Sequence, residues 1–159
     1  MKRLNIGCGN EAKEYKKNGY INLDIEPNEN VHVVHDLNIF PYPFKDNTFD
    51  EIYASHIIEH LINPYMVLME LYRILKSNGV IIVKLPTTRR SCLGHLRTGH
   101  TRDYFDCLTH NNIGFDSKPL FHDIHVKGRK FDIGRTWFNF RDWLLNNIYQ
   151  EWEYRLVKK

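Results

Sequence analysis

Short apolar runs alternate with polar turns along the first half of the chain, and one stretch between them is strongly periodic. The runs predict strands near residues 2–6, 20–25, 31–35, 50–54 and 79–85. Val80-Ile81-Ile82-Val83 is nearly all β-branched, as expected of a strand covered on both faces. Val67, Leu68, Leu71, Ile74 and Leu75 recur at helical spacing and predict a helix from about Pro64 to Lys76. Asn63 suits its N-cap, Pro64 its first position, and Asn78-Gly79 its stop. Strands alternating with helical or turn segments predict a mostly parallel sheet. The links are short: residues 10–18 hold at most a brief helix, and 26–30 hold none.

The second half is patterned differently. Residues 87–118 are polar, rich in Arg and His, with little periodicity. Phe121 to Val126 and Lys130 to Ile133 predict a hairpin around Gly128. Residues 137–149 predict an amphipathic helix loaded with Trp137, Phe138, Phe140, Trp143, Leu144 and Ile148. That face packs on the sheet or, where exposed, would serve a homodimer contact. Glu151 to Val157 alternates and predicts a last strand.

Composition narrows the picture. The 159 residues suit one domain, a half at 1–86 followed by a segment at 87–159. Hydrophobic residues at 42% and charged residues at 26% fit an ordinary globular protein. Cys8, Cys92 and Cys107 are odd in number and lack metal-ligand spacing, so a reducing, cytoplasmic setting is expected rather than a disulfide framework. The opening Met-Lys-Arg runs straight into a strand, which leaves no room for a signal peptide, and no apolar run reaches the ~20 residues of a membrane span. A net charge of +3 does not by itself imply nucleic acid.

The chemistry concentrates at the strand ends. Gly7 and Gly9 in Leu4-Asn5-Ile6-Gly7-Cys8-Gly9-Asn10 allow a tight turn and close backbone approach to a ligand. Asp24 ends the second apolar run, where an acid can accept both hydroxyls of a ribose, so a nucleoside ligand is expected. A simple strand-to-helix turn and a turn-capping acid are the plainer alternatives. His56 and His60 share a spacing that could hold a metal, yet no third ligand is evident and none is expected. Residues 86–130 carry eight Lys or Arg against four Asp, and Arg89, Arg90, Arg97 and Arg102 follow the fifth strand. They suit either an anionic substrate or a solvated surface.

Five stretches in order resemble the class I S-adenosylmethionine-dependent methyltransferases, in the branch of small type-11 domains. They are Leu4 to Asn10, Asn22 to Ile25, Val34 to Leu37 with Pro41 to Asp50, Ser55 to Leu61, and Glu70 to Gly79. The resemblance implies a Rossmann-like α/β sheet of order 3-2-1-4-5-7-6 with the seventh strand antiparallel, here without the usual N-terminal helix. It implies S-adenosyl-L-methionine as cofactor, held around Asn5, Gly7, Cys8, Gly9, Asp24, Ile25, Asp36, Leu37, Ser55 and His56. Asp24 would take the ribose hydroxyls and Asp36 the adenine amino group. Asn5 stands where many members carry an acid. His56 is implied beside the reacting methyl, as a base or a substrate contact. The stretch Gly99 to Phe105 faintly resembles a family segment over the active site, so His100 and Tyr104 are further candidates for deprotonating or orienting a substrate.

The acceptor is unidentified: a small molecule or a macromolecule. Nucleic acid stays possible as a partner but is not indicated by a base-methylation motif, since Ser55-His56-Ile57-Ile58 stands where one would lie. Two rivals stay open. One is a binding module that keeps the fold without transfer. The other is a dinucleotide enzyme, for which Gly7 to Ala12 offers an incomplete glycine fingerprint.

Overall fold

A computed structural model describes residues 1–86, 121–130 and 149–158, with the side chains of residues 1–85 and 153–158. Its elements are β1 (Arg3–Ile6), α1 (Ala12–Lys17), β2 (Tyr20–Asp24), β3 (Val33–Val34), β4 (Phe49–Ser55), α2 (Pro64–Ile74), β5 (Leu75–Pro86), β6 (Phe121–Lys130) and β7 (Tyr149–Lys158). They form one sheet of order β3-β2-β1-β4-β5-β7-β6. The pairs from β3 to β5 are parallel, and β7 runs antiparallel to both β5 and β6. Strand order, orientation and the brevity of α1 agree with the expectation from sequence.

The two faces of the sheet differ. Leu4, Ile6, Leu23, Ile52, Ala54, Ile81, Val83, Tyr154 and Leu156 are buried on one face, in a cluster with Val67, Leu68, Leu71 and Ile74 of α2. Each such aliphatic side chain contributes up to about 1.5–3 kcal/mol by leaving water. The alternating positions carry Arg3, Asn5, Tyr20, Asn22, Glu51 and Tyr53, and α1 packs there. Tyr15 stacks on Tyr53 with centroids 4.8 Å apart and meets Tyr20 edge-on at 5.2 Å. Val80 and Ile82 are only half-buried, so β5 is more deeply covered on the α2 side than its composition implies.

Two sequence motifs turn out to be architecture. Glu70 Oε1 accepts from the Tyr42 N–H at 2.6 Å, and Arg73 Nη2 donates to the Tyr42 carbonyl at 3.2 Å and to Glu70 Oε1 at 2.6 Å. Arg73 Nη1 reaches Asp46 Oδ1 at 2.6 Å. The Glu70-x-x-Arg73 pair on α2 therefore clamps residues 42–46, and the tyrosine hydroxyl in turn donates to Leu37 O at 2.9 Å. Burial pushes the Glu70 carboxyl up, but the Arg73 and Tyr42 hydrogen bonds outweigh it and hold the group below its ordinary value.

Three expectations change. No turn forms at Gly128: β6 (Phe121–Lys130) runs unbroken through it and pairs it with Trp152, because β7 supplies the full-length partner that a glycine-centred turn would have replaced; residues 131–133 of the expected hairpin lie outside the described residues. The helix starting at Pro64 ends at Ile74, not Lys76. Asn78 (φ 62°) and Gly79 lie within β5, where the register shifts between Phe49↔Leu75 and Glu51↔Val80. They make a bulge rather than a helix stop. Tyr149 belongs to β7; the remainder of the aromatic 137–149 segment lies outside the described residues.

Candidate functional site

The crevice opens at the carboxyl ends of β1 and β2, on the β3 side of the point where strand order reverses. Ile6 leads into Gly7 (φ 60°), whose N–H donates to Leu23 O at 2.9 Å, and then to Gly9 (φ 44°). A Cβ on Gly7 would come within 2.4 Å of the Ile57 side chain, whereas one on Gly9 would meet nothing within 4 Å. Gly7 is thus required by packing and conformation, and Gly9 leaves the backbone open to a ligand.

Asp24 ties the two loops together. Its Oδ2 accepts from the Gly9 N–H at 2.8 Å and its Oδ1 from the Glu26 N–H at 3.1 Å. The turn-capping and ligand-binding readings are compatible: an ionised carboxylate has about four acceptor sites, so both oxygens retain capacity for hydroxyl donors. Cys8 lies buried beside it, and burial together with the Asp24 charge pushes its thiol up to about 12. It is a protonated packing residue at neutral pH and not a nucleophile.

Gly7, Asp24, Ile25, His35, Asp36, Leu37, Asn38, Ile57 and Leu61 line a cleft that is open at its mouth. Asp36 Oδ1 caps the following turn, accepting from Asn38 N at 2.9 Å and Asn38 Nδ2 at 3.0 Å. Asn38 Oδ1 in turn accepts from the Ile62 N–H at 2.9 Å, joining the two walls. His35, Asn38, Ile57 and Leu61 were not singled out in the sequence. The Ile57–Gly7 contact is long-range and leaves no local signal.

Other candidates fall elsewhere. Asn5 is buried away from the cleft lining, its amide donating to Asn22 Oδ1 at 3.3 Å. Asn22 Nδ2 donates onward to Ala12 O at 2.6 Å and Asn30 O at 2.9 Å, so these two residues fasten β1, α1 and the loop after β2. Ser55 ends β4 opposite Lys84. His56 follows with φ 51°, half exposed, its Nδ1 3.6 Å from Glu59 Oε1. His60 is exposed on the turn Ile58–His60, and no cluster of three or more His, Cys, Asp or Glu able to hold a metal occurs among the described residues. His100, Tyr104, Arg89, Arg90, Arg97 and Arg102 lie outside the described residues.

A glycine turn, an acid ending β2 and a second acid after β3, all on a sheet with an antiparallel seventh strand, define a Rossmann-like nucleotide-binding fold of the methyltransferase class. The family model described as a methyltransferase domain, type 11, matches residues 4–83. The chain belongs to this family of class I S-adenosylmethionine-dependent methyltransferases. Its fold is similar to that of a Thermotoga maritima SAM-dependent methyltransferase described as a possible histamine N-methyltransferase. The TM-score is 0.67 at 17% identity, over 99% of this chain and 82% of that one. A SAM-dependent methyltransferase from Archaeoglobus fulgidus gives 0.65 at 18% identity, over 99% and 86%. An uncharacterized methyltransferase of Schizosaccharomyces pombe is 34% identical over 56 residues, 35% of this chain. The matched stretches span 20% of the length of the curated relatives.

Proposed function

We propose that the chain binds S-adenosyl-L-methionine in this cleft and transfers its methyl group to an acceptor entering beside the end of β4. The observation that carries the reading is Asp24, fixed by the Gly9 and Glu26 N–H groups with both oxygens still able to accept. Gly9, with open space where a side chain would stand, leaves room for the methionine part. Asp36 and the apolar walls Ile25, Leu37 and Ile57 suit an adenine ring with one donor edge.

The cofactor, when bound, supplies an already activated methyl. The chain's residues then mainly align the reactants, since positioning supplies much of the barrier reduction in such a displacement. Asp24 anchors the ribose, Gly7 and Gly9 admit the ligand backbone, and His56 stands at the open end. Substrate contacts from Arg89, Arg90, Arg97 and Arg102, with His100 and Tyr104, belong to the same proposal, supported by the clustering of basic residues after β5.

Titration calorimetry with S-adenosylmethionine and its demethylated product tests the binding. Asp24→Ala is expected to weaken binding at least tenfold, about 1.4 kcal/mol. An unchanged affinity overturns the ribose role. Binding without turnover on any nucleophile would make the chain a binding module instead.

A further inference from the structure

Beside the cleft stands a histidine in a conformation that side chains seldom adopt. His56 has φ 51°, in the left-handed region, and its N–H is fixed to Lys84 O at 3.0 Å. Such strain at the end of a central strand persists where the surroundings over-determine it, and it gathers at functional sites. The next residue, Ile57, lines the cleft and packs on Gly7. His56 thus directly precedes a wall residue of the cleft, with its imidazole about half exposed.

Behind it lies a buried acid. Glu59 is 2% exposed, and its Oε1 is 3.6 Å from His56 Nδ1 across one short turn. That turn is closed by the His60 N–H donating to Ile57 O at 3.0 Å and the Leu61 N–H to Ile58 O at 3.2 Å. A carboxylate facing Nδ1 favours the neutral imidazole with its proton on that nitrogen, so that Nε2 carries the lone pair. Catalytic contacts of this kind are often long before substrate binds and tighten afterwards.

We propose that Glu59 is a positioning residue that holds His56 as proton acceptor, and that the methyl acceptor is a group carrying a proton, a hydroxyl or an N–H. The inference rests on the methyl-transfer reading above. The acceptor's lone pair forms the bond to the methyl carbon, the carbon–sulfur pair returns to sulfur, and the acceptor's proton passes to His56 Nε2. The resulting imidazolium is stabilised by Glu59. A carboxylate or thiolate acceptor is already deprotonated and would need no such pair.

The deciding measurement is the tautomer of His56 in the neutral form. It is read by long-range proton–nitrogen NMR on the 159-residue chain labelled at histidine, with His56→Gln identifying the signal. The expected result is a majority with the proton on Nδ1, shifting in Glu59→Gln to the Nε2–H form that free imidazole prefers. A majority of Nε2–H in the unsubstituted chain overturns the proposal, and this reading stands even if the Glu59 variant fails to fold. Calorimetry with the demethylated cofactor judges the methyl-transfer reading separately, since Glu59→Gln is expected to bind it within about threefold of the unsubstituted chain. For the acceptor class, product labelled from tritiated-methyl cofactor in a small-molecule extract is treated with mild alkali. Label that stays bound in a product that mild peroxide does not convert to a sulfoxide supports a hydroxyl or N–H acceptor, whereas a sulfoxide marks a thiolate and overturns that class. Label released as methanol marks a carboxylate and overturns that class.

Discussion

At the scale of single residues, the two glycines of the first loop separate two demands that a sequence motif merges. Gly7 combines a positive φ with a Cβ clash of 2.4 Å against Ile57. Gly7→Ala is expected to cost about 2–4 kcal/mol, combining left-handed strain with overpacking. Gly9→Ala meets only the conformational cost, about 1–2 kcal/mol. Chemical denaturation of both variants checks the order; equal losses would deny Ile57 its part. The pair was legible in sequence as a turn, but the partner that makes Gly7 irreplaceable lies fifty residues away and left no trace. Asp24 was legible for a similar reason: an acid at a strand end is conspicuous. Asn5 was not, because a buried amide pairing with Asn22 and a ligand-facing amide look alike in one dimension.

Between elements, the clamp from α2 onto residues 42–46 makes a statement about pH. Glu70 is held below its ordinary carboxyl value of 4.5 by Arg73 and the Tyr42 N–H. Its contribution is therefore complete above pH 4.5 and is lost as pH falls through the lowered folded value. Glu70→Gln is expected to be less stable at neutral pH, with the gap to the parent narrowing below pH 4.5; thermal melts across that range check it. A gap that does not change with pH would mean that the ion pair contributes nothing. The Glu70-x-x-Arg73 spacing and the Pro41–Asp50 run were visible in sequence only as a family likeness. Their purpose, one side chain pair gripping both the N–H and the carbonyl of Tyr42, needed the fold. Periodicity gave α2 to within two residues. It failed at Gly128, because whether a strand glycine turns or pairs depends on what lies beside it, here β7.

At the scale of the whole molecule, a lysine on the last strand ties the two halves together. Lys158 is buried, donating to Tyr72 O at 2.8 Å, Leu75 O at 2.7 Å and Asn47 Oδ1 at 2.9 Å. It neutralises the carbonyl end of α2 and sits 4.4 Å from the Tyr72 ring centroid. Lys158→Met, which keeps most of the stem but none of the donors, is expected to cost about 1–3 kcal/mol, since it strands buried acceptors. A denaturation midpoint equal to the parent's would refute this.

The insertion of β7 between β5 and β6 also sets an order of events. During synthesis the ribosome releases residues 121–130 before residues 149–158, yet the earlier strand has no edge to join until the later one has docked on β5. Until then β5 presents a bare ladder of donors and acceptors to any passing extended peptide. The nascent chain is thus most exposed to mispairing just before the ten residues of β7 emerge.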